Sequence, residues 1–199
     1  MIDLRLGDCL ESMRLMKNNS FELAIVDPPF GIGNFVQTAG NKRGDRVNWN
    51  DLTPKKEYFL ELKRVSKNQI IWGANYYNCF PKTGGSIIWV KNQPMPNFSK
   101  AVIASCSFHK KIEIYTQTWT NFVQVGRTGI HPCEMPVALY TWILERYANK
   151  GDRILDTHLG SGSIAIACHN LGYDLTGYEL DSDYYSAACK RLEQHQKQI

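Results

Sequence analysis

The chain has 199 residues, of which 43% are hydrophobic and 21% charged, and a formal net charge of +4 at pH 7. That size and balance suit one globular domain with a substantial core and exclude a disordered or low-complexity chain. No apolar run approaches the roughly 20 residues of a membrane helix, and Met1-Ile2-Asp3-Leu4-Arg5 lacks a secretory-signal pattern. Six cysteines (9, 79, 106, 133, 168 and 189) include no CxxC pair, and the five histidines have no metal-ligand spacing, so neither a disulfide framework nor a metal site is expected. A reducing cytosol is the expected compartment, and the excess of positive charge is compatible with a polyanionic partner.

In chain order, Ile2 to Leu6 alternates like a short strand, and Cys9 to Lys17 follows as a helix with Leu10, Met13 and Met16 on its apolar face. Phe21 to Val26 is a strand. A polar, glycine-rich stretch from Gly31 to Pro54 has no period, and loops this long in compact domains are usually functional or disordered. A helix from Pro54 to Val65 turns Tyr58, Leu62 and Val65 inward. Gln69 to Trp72, Ser86 to Val90, Ala101 to Cys106 and Lys111 to Tyr115 read as strands, and Pro136 to Tyr147 as a helix. Strand Arg153 to Leu155, helix Ile164 to Leu171, strand Asp174 to Tyr178 and helix Asp181 to His195 complete the chain. Strands alternating with helices imply a mostly parallel sheet with helices on both faces, a three-layer Rossmann-like α/β domain over residues 1–199.

Two segments carry chemistry. Asp27-Pro28-Pro29-Phe30 closes the apolar run Leu23-Ala24-Ile25-Val26 with an acid, two residues lacking an N–H and an aromatic ring. Such a group can grip the amino edge of a flat ring and stack on its face, although Asp and Pro also make ordinary turns. Ile154-Leu155-Asp156-Thr157-His158-Leu159-Gly160-Ser161-Gly162-Ser163 is a strand, a glycine turn and a helix start, and Glu179 ends the next strand 17 residues after Gly162. An acid there binds ribose hydroxyls in sheets of this kind. Gly160 to Ala165 also fits the dinucleotide fingerprint of a dehydrogenase. Asp156, however, would repel a pyrophosphate and welcome an ammonium, which favours S-adenosylmethionine. The long loop holds Lys42, Arg43 and Arg46 against Asp45, followed by Asn48 and Trp49; it is the expected phosphate contact of a DNA-binding surface.

Together these segments resemble the amino-methyltransferases of adenine or cytosine in DNA, in the permuted order called the beta class, where the catalytic tetrapeptide precedes the cofactor turn. Trp72-Gly73-Ala74-Asn75-Tyr76 and Ile88-Trp89-Val90-Lys91 are similar to the middle strands of phage and prophage adenine methylases. The resemblance implies S-adenosyl-L-methionine held by Asp8, Cys9, Asp27, His131, Asp156, His158, Gly160, Ser161, Gly162 and Glu179. It implies catalysis at Asp27, Pro28, Pro29 and Phe30, with Tyr76 as a second wall for a flipped base. A catalytic half covers about 1–130 and a cofactor half about 131–199. DNA is the expected partner, with a second copy of the chain left open, and a bacterial or phage-infected cytosol is the expected location.

The chain departs from the family pattern in three places. Asp156-Thr157-His158 replaces Asp-Pro-Phe, and His131-Pro132-Cys133-Glu134-Met135-Pro136 replaces His-Pro-Thr-Gln-Lys-Pro. Only about 40 residues, Gln93 to Ile130, stand where many members have a separate target-recognition region, so a short or loosely read target is expected. Pro132-Cys133 imitates the nucleophile of carbon-5 cytosine methylases, but no Glu-Asn-Val partner exists, and Cys133 is expected to be a small packing residue. Adenine N6 is the expected target. Cytosine N4, or an inactive nucleic-acid-binding relative, is the alternative.

Overall fold

Apolar residues on both sides of β2 (Phe21–Val26), with five of six side chains buried, require cover on each face of the strand. The computed structural model describes residues 1–32, 52–92, 99–117, 129–131 and 133–198. It joins β1 (Ile2–Leu6), β2, β3 (Ser66–Trp72), β4 (Ser86–Val90), β5 (Ala101–Cys106), β6 (Ile112–Thr116), β7 (Arg153–Asp156) and β8 (Asp174–Glu179) in one sheet of order β1-β8-β7-β2-β3-β5-β4-β6. The pairings β1–β8, β8–β7, β7–β2, β2–β3 and β4–β6 are parallel, and β5 runs antiparallel to both β3 and β4. The sheet is therefore mostly parallel, and it draws strands from both halves of the chain.

The alternation along β2 sorts the core. Leu23 and Ile25 face Leu139, Ile143 and Leu144 of α4 (Val137–Tyr147), Ile164 and Ala165 of α5 (Ser163–Leu171) and Ala188 and Leu192 of α6 (Ser182–Gln196). Ala24 and Val26 face Met13 of α1 (Cys9–Leu15) and Tyr58, Leu62 and Val65 of α2 (Lys56–Val65). The expected inward residues of α2 are all buried, as are Leu139 and Ile143; Tyr147 is only half-buried.

Several boundaries differ from expectation. Helix α1 ends at Leu15, where the Met16 backbone turns extended at ψ 151°. Strand β3 starts at Ser66, directly after α2, because pairing with β2 begins at Phe21 opposite Ser66. A four-residue helix α3 (Ala74–Tyr77), bounded by left-handed Gly73 and Asn78, was not expected from pattern; one turn is too short to show a 3.6-residue period.

The connections reverse direction between β7 and β2. Helix α5 links β7 to β8 on one face and α2 links β2 to β3 on the other. Ligands in open α/β sheets bind at the carboxyl ends of the strands where such a reversal opens a crevice.

Candidate active site

The carboxyl ends of β1, β8, β7 and β2 carry a row of acids in sheet order: Asp8, Glu179, Asp156 and Asp27. Asp156 and Asp27 flank the reversal. Each acid is held differently. Asp8 caps α1, its Oδ1 accepting from the Leu10 N–H at 2.7 Å. Glu179 accepts from Gly160 N at 2.8 Å through Oε2, and from Leu180 N and Asp181 N through Oε1 at 2.9 and 3.0 Å. Glu179 thus ties the glycine turn to the end of β8. Burial raises its carboxyl above the usual range, against the pull of those three N–H groups.

Asp156 is buried, and Oδ1 accepts from His158 N at 3.0 Å. Burial lifts its carboxyl to about 8, with the neighbouring acids Asp27 and Glu179 pushing the same way. Asp27 keeps some exposure overall, yet its Oδ1 is buried and has no hydrogen-bond partner among the described residues. Burial raises Asp27 to about 7, opposed by Lys91 at the end of β4. Buried acceptors are nearly always satisfied, and each exception calls for an explanation.

The glycine turn is a backbone cradle. Gly160 and Gly162 take φ of +52° and +75°, and α5 starts directly after Gly162. A Cβ on Gly162 would stand 3.0 Å from that of Ala188, so α6 can approach only a glycine there. His131 lies edge-on to Tyr184 at 4.7 Å, and its ring atoms stand 3.5 Å from the Cβ position of Gly160.

His158 fills the slot that the family pattern gives to phenylalanine, packing edge-on to Tyr58 at 5.5 Å. Its Nδ1 is 2.9 Å from Thr157 Oγ1, which in turn is 2.6 Å from Tyr58 Oη. Burial holds the imidazole down at about 4, so it is neutral at pH 7 and serves as an aromatic. Cys9 opens α1, and burial followed by the nearby Asp8 pushes its thiol up to about 12.

The segment before α4 corrects one expectation. Cys133 is exposed and not a packing residue. Its N–H donates to His131 Nδ1 at 3.2 Å, a turn that points Cys133 outward and buries Glu134 and Met135. Glu134 then meets Arg191 of α6 at 3.1 Å, with side chains only 3% and 13% exposed. Arg191 Nη1 also donates to Ser161 O at 3.0 Å and Ser163 Oγ at 2.9 Å. This buried clamp was missed in the sequence because its partners stand 57 positions apart.

At the carboxyl end of β2, Phe30 stacks on Tyr76, with centroids 4.9 Å apart and planes at 16°. The two expected walls are in contact, so a base between them must part them. Tyr77, also missed, donates its hydroxyl to the carbonyls of Pro28 and Pro29. Lys42, Arg43, Arg46 and Trp49 lie outside the described residues. No group of three or more His, Cys, Asp or Glu able to hold a metal occurs among the described residues, and no helix there is long and apolar enough to cross a membrane.

Residues 104–190 match the DNA methylase family, whose members are amino-methylases of the N6 and N4 types. The type II methyltransferase M.HinfI of Haemophilus influenzae is 24% identical over 245 aligned positions, covering 94% of this chain and 67% of that one. The crystal structure of the M1.HpyAVI–SAM complex superposes with a TM-score of 0.64 at 21% identity, covering 96% of this chain and all of that one. The cytosine-N4-specific PvuII DNA methyltransferase gives a TM-score of 0.63 at 13% identity over 98% of this chain and 90% of that one. The fold is that of the Rossmann-like, S-adenosylmethionine-dependent methyltransferases. Within that class, the sequence likeness is to the DNA amino-methyltransferases.

Proposed function

We propose that the chain transfers the methyl group of S-adenosyl-L-methionine to the N6 amino group of adenine in DNA. The observation that carries this is the buried Asp27 Oδ1, without a hydrogen-bond partner among the described residues, next to Pro28 and across the crevice from Asp156. The two acceptors, Asp27 and the Pro28 carbonyl, would take the two hydrogens of an exocyclic amine, and Phe30, once parted from Tyr76, would stack on a flipped base. An amino nitrogen conjugated to its ring is a poor nucleophile. Holding both hydrogens favours a tetrahedral nitrogen with its lone pair aimed along the line of transfer, and positioning and fixed dipoles supply the rate. The nitrogen gains the methyl and gives up a proton, which Asp27 or water accepts.

When bound, the cofactor supplies an already activated methyl on a sulfonium. The residues present suit it. Asp156 would pair with the ammonium, the turn at Gly160 to Gly162 would allow close backbone approach, and Glu179 and Asp8 would take the ribose and the adenine. His131, His158 and Cys9 complete the walls. An acid row that is costly to ionise alone is stabilised by a ligand carrying two positive charges.

An aspartate at position 27 favours adenine through the family resemblance, and cytosine N4 is the alternative. Target readout is assigned to the loops, with Lys42, Arg43, Arg46 and Trp49 on the phosphates, because β5 and β6 give part of the interval before His131 to the main sheet. Methylation of mixed-sequence DNA, followed by nucleoside mass spectrometry and mapping, tests all three points. N6-methyladenine at a short site is expected; N4-methylcytosine or a long defined site would overturn the respective part. Asp27→Ala should bind cofactor yet transfer nothing.

A further inference from the structure

Pro28 and Pro29 cannot donate, so the tetrapeptide cannot pin its own carbonyls through those residues. A free Pro28 carbonyl could swing away from the target. Tyr77 supplies the missing donor from outside: its one hydroxyl reaches both the Pro28 and the Pro29 oxygens, the latter at 3.0 Å. The ring that carries it is braced, packed against Phe59 with centroids 5.3 Å apart and meeting Phe30 edge-on at 6.2 Å.

Helix α3 delivers this contact. It runs for four residues between two left-handed positions, Gly73 at φ +74° and Asn78 at φ +52°. Neighbouring residues on one helical turn point about 100° apart, so Tyr76 lands on the Phe30 ring while Tyr77 lands on the proline carbonyls. The phenol stays protonated, because burial and the nearby Asp27 both raise it far above its ordinary range. It is therefore a donor at any working pH.

We propose that Tyr77 is a positioning residue for methyl transfer, its hydroxyl fixing the direction of the carbonyl that receives the target amino group. This rests on the function proposed above. A carbonyl has two lone pairs. Tyr77 engages one on Pro28 and leaves the other for the substrate, aimed by a rigid arm. Asp27 and Pro28 then present their acceptors at a fixed spacing before the base arrives.

Tyr77→Phe removes one oxygen and keeps the ring. Single-turnover transfer to DNA, at saturating S-adenosylmethionine and DNA, should slow about 10- to 100-fold, the usual size of losing one fixed donor in an active site. The cofactor Kd and the KM for DNA should stay within about twofold. Phe59→Leu loosens the packing of the same ring but keeps the hydroxyl, and should retain most of the rate. A Tyr77→Phe rate within twofold of the parent overturns the assignment, as does an equal loss in Phe59→Leu, which would make packing the cause. A parent chain that methylates no DNA overturns the proposed function, and the role of Tyr77 with it.

Discussion

Replacing Gly73 with alanine perturbs the Phe30–Tyr76 stack through one methyl group. Gly73 is buried at φ +74°, and an added Cβ would stand 2.3 Å from Phe30 Cε1 and 2.6 Å from Cδ1. Carbon atoms rest at about 3.5–4.0 Å, so the ring must retreat by at least about 1 Å. Left-handed strain costs about 1–2 kcal/mol and overpacking about 1–3 kcal/mol, for a total of about 2–5 kcal/mol. At about 2–4 °C per kcal/mol for a domain of this size, Tm should fall by at least about 4 °C. Methyl transfer should fall with it, since Phe30 leaves its stack on Tyr76. Gly84 provides the control: its φ is +73° and nothing lies within 4 Å of its Cβ position, so Gly84→Ala meets only the strain. Both variants are compared by urea denaturation and by initial rates on DNA. If Gly73→Ala matches Gly84→Ala in stability and the parent in activity, the Phe30 placement is refuted.

Further outcomes follow from the acids and the clamp. With Asp27 raised to about 7 in the ligand-free protein, kcat/KM for transfer should rise with pH through that value, because only the carboxylate accepts freely. The acid limb of the pH–kcat/KM profile measures this, and a flat profile between pH 6 and 8 would contradict it. Asp156 and Asp27 bind protons more tightly folded than unfolded, so ligand-free stability should decline from about pH 4 to about pH 8, as their ordinary values and the raised values of about 8 and about 7 bracket. Asp156→Asn should flatten that decline in thermal scans while weakening S-adenosylmethionine binding; a variant with unchanged affinity would deny the ammonium contact. Arg191→Leu removes the ion-pair contact to the buried Glu134 and should cost about 3–5 kcal/mol. Adding Glu134→Leu should restore much of that loss in urea melts, and no recovery would mean that the pair is not a closed unit.

The sequence reveals most where one residue type has one physical use. Apolar runs such as Phe21 to Val26 and Ser86 to Val90 match their strands residue for residue, since burial on both faces leaves little else for them to be. The glycine turn was legible for the same reason, as was its acid Glu179. The partners of these groups were not legible, because they depend on which strands become neighbours. Glu179 gripping Gly160, Glu134 meeting Arg191 and Tyr77 reaching Pro28 all join distant positions, and no local period encodes them. Phe30 was read as an open stacking face, whereas the short helix after Gly73 brings Tyr76 onto it.

The outer edge of the sheet bears on connectivity. Strand β1 lies parallel to β8, the Met1 ammonium is bonded to the Asp174 side chain, and α6, which follows β8, packs on β1 with Tyr185 Oη donating to Leu4 O at 3.2 Å. β8, α6 and β1 thus pack together as a strand–helix–strand unit. Read in space, β7-α5-β8-α6-β1-α1-β2-α2-β3 is one uninterrupted winding. What brings Asp27 and Asp156 together is thus the pairing of β7 with β2, and not their order along the chain.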